Sequence, residues 1–103
     1  MPSPPPDLPA RDTQGYLLDP ATWTEVTARR LAAEDGIGEL TPEHWRVITF
    51  LRDFHARKGA APMIRVLVQE TGLSLGRIYD LFPDGPARSA CRIAGLPRPD
   101  GCV

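Results

Sequence analysis

Residues 64–82 read IRVLVQETGLSLGRIYDLF. Apolar side chains recur at 67, 68, 75, 78 and 81, and Gly72 stands between the two groups. That spacing follows a helical period on both sides of a glycine, which is a natural helix stop. It predicts one helix starting near Pro62 with Ile64, Leu67 and Val68 facing inward, ended by Gly72. Ser74 can cap a second helix, with Leu75, Ile78, Tyr79 and Phe82 as its buried side and Pro83 as the stop signal. Two short helices joined this way form a helix-turn-helix-like unit. The fold is therefore predicted to be mainly helical.

The same devices appear upstream. Thr41-Pro42 opens a helix that runs to Gly59, with Val47, Ile48, Leu51 and Phe54 at helical spacing and Trp45 and Phe50 widening the stripe. Before it, Asp19 and Pro20 cap a first helix over 20–35, whose inner face is predicted to hold Trp23, Val26, Thr27 and Leu31. In RDTQGYLLDP the turn-prone Thr-Gln-Gly precedes an apolar pair, consistent with a small hairpin. A breaker-free segment, 87–94, extends the helical content. The expected architecture is thus a compact, orthogonal helical domain, α+β only by its N-terminal hairpin. Residues 1–10 form a proline-rich leader, 11–94 the helical domain, and 95–103 a mobile C-terminal arm. Gly95, Pro97, Pro99 and Gly101 are too dense for regular structure in that arm.

With 103 residues the chain has room for one core. No run approaches the roughly 20 apolar residues of a membrane span, and MPSPPPDLPA has no basic start followed by an apolar segment. Direct membrane insertion is not expected, and a cytoplasmic address follows by default. Thiols there are normally kept reduced, so two cysteines read as reactive, metal-binding or incidental groups. Net charge is −1, which lacks the basic footprint of an avid nucleic-acid binder. The second helix of the central pair offers only Ser74, Arg77 and Asp80 to a groove, so DNA is disfavoured as a partner. Free in solution, the chain is expected to be a monomer.

Metal binding requires closely spaced ligands. Ten residues separate the two cysteines, and His44 and His55 lie eleven positions apart on one predicted helix. At about 1.5 Å per residue the imidazoles stand roughly 16 Å apart and cannot share an ion. No metal is expected. The sequence also lacks a nucleophile elbow and a phosphate-cradling glycine loop. Glu34, Asp35 and Glu39 cluster beside Gly36 and Gly38 and read as a solvated inter-helix turn.

The thiols remain. Both sit in CRIAGLPRPDGCV, residues 91–103, on a strip with no obvious packing role. A thiolate needs access to its target, and a terminal arm can carry one into a partner's cleft. A second thiol can resolve what the first acquires through a mixed-disulfide route. Arg88, Arg92 and Arg98 favour thiolate or docking, whereas Asp100 and the terminal carboxylate oppose it.

These residues resemble the sulfur-relay family that includes the gamma subunit of dissimilatory sulfite reductase (DsrC) and the tRNA-thiolation protein TusE. The resemblance rests on LFPDGPARSACRIAGLPRPDGCV, TPEHWRVITFLRDF, GYLLDPATW and APMIRVL. It implies a small helical domain with an N-terminal hairpin and a C-terminal arm. It further implies that Cys102 bears sulfur, as persulfide or trisulfide, and that Cys91 closes on it. No intrinsic cofactor is implied, only covalently carried sulfur. The sirohaem and iron-sulfur cluster of the catalytic sulfite reductase subunits would be met in trans. The other partners implied are a membrane-bound thiol-reducing complex and small sulfurtransferases, with the chain a co-substrate rather than a stand-alone enzyme. The tRNA-thiolation branch typically keeps only the penultimate cysteine, so Cys91 favours the two-cysteine type. Asp100 departs from the family pattern. A persulfide relay to tRNA 2-thiouridine and a redox-responsive DNA-binding regulator remain as alternatives.

Overall fold

The computed structural model describes residues 10–97. The proline-rich leader and the arm carrying Arg98 and Cys102 lie outside the described residues.

Residues 10–18 make a tight turn closed by one antiparallel bridge, Arg11 to Leu17. The hairpin shrinks to this bridge because the Asp12 carboxylate accepts the Gln14 and Tyr16 amides at 2.8 and 3.0 Å. Side-chain bonds of that kind compete with a strand ladder for backbone donors. Tyr16 and Leu17 are thereby driven into the core.

The first helix starts later than the sequence predicts. Asp19 does cap, but it caps only a 3-10 turn, Pro20–Thr22. Trp23 is extended, and a second cap, Thr24, opens α1 (Glu25–Glu34). The Thr24 hydroxyl accepts the Thr27 amide and the Thr27 hydroxyl accepts the Thr24 amide, both at 3.3 Å. This reciprocal box resets the helical phase. The buried stripe becomes Thr27, Ala28, Leu31 and Ala32, while Val26 faces solvent and Trp23 stands before the helix.

Helix α2 (Pro42–Lys58) matches its predicted limits and ends on Gly59 at φ +76°. At its start the Thr41 amide donates to His44 Nδ1 at 3.0 Å. The other ring nitrogen, Nε2, then carries the proton and donates to the Leu81 carbonyl at 2.9 Å. His44 is thus a buried structural group, T-stacked on Phe82. Val47, Ile48 and Leu51 form the floor of the core.

The central pair is α3 (Ile64–Thr71) and α4 (Leu75–Leu81). Gly72 ends α3 at φ +74°, and the Ser74 hydroxyl accepts the Arg77 amide at 3.1 Å. Leu67, Ile78 and Phe82 are buried as expected, but Leu75 and Tyr79 are about half exposed and Leu81 is buried instead. A seven-residue helix makes only two turns, so each turn sends one side chain inward, Ile78 and Leu81, and Leu75 at its start stays about half exposed. A closing segment follows: a π-helical stretch, Pro86–Ala90, running into α5 (Cys91–Ile93), which packs against α1 and α2.

Candidate functional site

The closing segment is not loose. Ser89, Ala90, Cys91, Ile93, Ala94 and Leu96 are all buried. Cys91 is fully enclosed, and burial pushes its thiol up to about 12. The expectation that Cys91 has no packing role is corrected: its side chain is a core residue. The body also extends through Leu96, so a boundary at 94 is two residues short. Glycine and proline density around residue 95 hides a helix terminus that is fully bonded.

That terminus is a Schellman motif. Gly95, at φ +74°, donates to the Arg92 carbonyl at 3.0 Å, and Leu96 donates to the Cys91 carbonyl at 3.0 Å. The remaining carbonyls are taken by side chains from afar. Trp23 Nε1 donates to Ile93 at 2.8 Å, and Arg52 to Ala94 at 2.8 Å. The Arg52 guanidinium lies 4.0 Å over the Trp23 ring, and its burial pulls its pKa down from the usual arginine value. A Cβ on Gly95 would fall 2.8 Å from Trp23 Cγ, so only glycine fits against the indole. The root of the arm is therefore fixed in place and direction.

On the other side of Cys91, Asp35 gathers two residues of the closing segment. One carboxylate oxygen accepts the Ser89 hydroxyl at 2.8 Å, and the other is ion-paired with Arg92. The Asp35 side chain is only 8% exposed, which overturns its reading as a solvated turn residue. The hydrogen bond to Asp35 raises the Arg92 pKa. Arg92 is committed to a structural contact, whereas Arg88 is exposed. Both border a cleft of about 240 Å³ with Gln14, Tyr16 and Asp84. The sequence marks Asp35 only as a turn residue, because its partners lie 54 and 57 positions away.

Among the described residues no cluster of His, Cys, Asp or Glu could hold a metal ion. No described helix is long and apolar enough to cross a membrane. Arg77, the basic residue a DNA reader would present, is held by Glu43 at 2.9 Å.

The family model described as DsrC like protein matches residues 8–103. The chain belongs to that family. It is 41% identical over 92 residues to the gamma subunit of dissimilatory-type sulfite reductase from Nitratidesulfovibrio vulgaris, covering 89% of this chain and 88% of that one. It is 42% identical over 99 residues to the sulfurtransferase TusE of Escherichia coli K12, covering 89% and 90%. The crystal structure of the oxidized gamma subunit (DsrC) from Archaeoglobus fulgidus superposes with a TM-score of 0.83 at 44% identity, covering 91% of each chain. The mainly helical fold is thus that of DsrC.

Proposed function

We propose that this protein is a sulfur carrier of dissimilatory sulfur metabolism and a co-substrate of dissimilatory sulfite reductase. Cys102 is the carrying thiol and Cys91 the resolving one. The observation that carries this reading is the division between the two: Cys91 is locked in the core, while Cys102 lies six residues beyond the last anchored residue, Leu96. The named relatives support sulfur handling, since they are a sulfite reductase subunit and a sulfurtransferase.

The chemistry balances without a cofactor of the chain's own. When Cys102 holds a persulfide, the Cys91 sulfur attacks the Cys102 sulfur. The outer sulfur leaves with the bond pair as hydrosulfide and takes up the proton of the Cys91 thiol. The two cysteine sulfurs are thereby oxidised to a disulfide. When sulfite is the source, the reductase supplies two electrons and the two thiols another two, leaving zero-valent sulfur between them as a trisulfide. A membrane-bound thiol-reducing complex resets the pair. The arm meets the reductase's sirohaem and iron-sulfur cluster in trans, and in the oxidative direction it accepts sulfur from small sulfurtransferases. Arg88 and Arg98 serve docking.

Intact mass spectrometry after exposure to a persulfide donor tests this assignment. Wild type gains sulfur and then an internal bridge. Cys102→Ala gains none, and Cys91→Ala keeps the added sulfur on Cys102 without a bridge. Sulfur uptake by Cys102→Ala overturns the assignment. Near-equal identity to TusE favours one second reading, a persulfide relay for tRNA 2-thiouridine. Restored tRNA thiolation in a strain lacking TusE, by Cys91→Ala as well as wild type, would select it.

A further inference from the structure

We infer that Asp35 is a positioning residue that latches the closing segment over Cys91, so that Cys91 reacts only from a locally opened state. The inference rests on Cys91 being the resolving thiol, and it specifies how that thiol is made available. In the closed structure Cys91 has no exposed surface, so no sulfur atom outside the core reaches it. The element that carries it is weak on its own. Its α-helical part spans three residues, Cys91–Ile93, and the preceding turn, Pro86–Ala90, is π-helical. Such π-helical turns concentrate at functional sites.

Among the described residues, hydrogen bonds from Trp23, Arg52 and Asp35 tether this element to the body. Trp23 and Arg52 take the carbonyls of Ile93 and Ala94 after Cys91. Asp35 holds the side before and beside it, through Ser89 and Arg92. Asp35 sits at the C-terminal cap of α1, where its amide bonds to the Leu31 carbonyl. The latch therefore joins a firm helix to a short one. Releasing it frees the turn bearing Cys91 while the Trp23 and Arg52 bonds keep the arm's root attached. A closed latch also protects the resolving thiol from unrelated disulfides until the arm brings sulfur.

The test reads Cys91 alone, without sulfur chemistry, so its failure is separate from failure of the carrier assignment. In full-length Cys102→Ser protein, N-ethylmaleimide adds to Cys91, the only remaining thiol. Asp35→Asn should speed this labelling about ten- to a hundred-fold, the size expected for losing a charged hydrogen-bonded pair. Hydrogen exchange of the Ala94, Gly95 and Leu96 amides should accelerate with it. The urea midpoint should fall by the same free energy, since the pair is absent from the open and the unfolded state alike, but labelling in both proteins should run faster than global unfolding allows and be nearly independent of low urea, as local opening requires. Arg92→Gln should speed labelling similarly, and the double variant should add little to either single one. The inference is overturned if Cys91 labels in the parent at the rate of an exposed thiol. It is equally overturned if labelling runs no faster than global unfolding allows and rises with urea as steeply as global unfolding does, or if Asp35→Asn does not accelerate it.

Discussion

At the residue scale the chemistry turns on one enclosed thiol. Burial pushes the Cys91 thiol up to about 12 in the folded chain, from an ordinary value of 9.0. Below about pH 9 the thiol is protonated whether folded or unfolded, and its contribution is fully present. Above that the unfolded chain ionises first, so stability falls by up to about 1.4 kcal/mol per pH unit until the folded thiol ionises too. In a Cys102→Ser background, urea melts between pH 8 and 11 should therefore show a steeper alkaline loss with Cys91 than with Cys91→Ala. Equal slopes would mean that the thiol is solvated. The sequence showed that Cys91 was chemically set apart, but not that it was buried. Burial depends on α1 and α2 closing over it, and those contacts leave no periodic trace in thirteen residues of glycine, proline and mixed charge.

At the element scale, caps were the most readable feature and faces the least. Thr41, Ser74, Gly59 and Gly72 stand where capping chemistry put them. The Asp19-Pro20 signal was also real, yet it served a single 3-10 turn, and the competing Thr24 box rotated the face that follows. Local hydrogen-bonding chemistry predicts where a turn begins, but not which of two successive caps the tertiary packing extends. Two glycines give a clean comparison. Gly72 and Gly95 share φ +74°, but a Cβ on Gly72 meets nothing within 4 Å whereas one on Gly95 strikes Trp23. Gly72→Ala should cost about 1 kcal/mol, the penalty of the left-handed conformation alone. Gly95→Ala should cost about 3 kcal/mol or more, because displaced Trp23 also abandons the Ile93 carbonyl. Thermal melts would show this as a markedly larger fall in midpoint, and equal falls would remove the indole from the account.

At the scale of the whole molecule, the helical body was legible because its stripes and stops agree, while most of the expected arm lies outside the described residues. What escaped was the joint between them, built from Trp23, Asp35 and Arg52, each more than 30 positions away in the chain from the residue it holds. That joint has a kinetic consequence. Leu96 is fixed, and Cys102 follows six residues later, so covalent geometry confines its sulfur within about 20 Å of the root. A thiol held in so small a volume has an effective concentration in the millimolar range or above. Bridge formation after sulfur loading should therefore proceed at a rate independent of protein concentration, with no mixed dimers at micromolar protein, and glutathione should divert it only when it too reaches millimolar levels. Quenched-flow alkylation across a protein dilution series would measure this, and a rate that scales with concentration would mean that the resolving thiol comes from a second copy. An anchored root thus converts a reaction that solution thiols could contest into one the chain completes by itself.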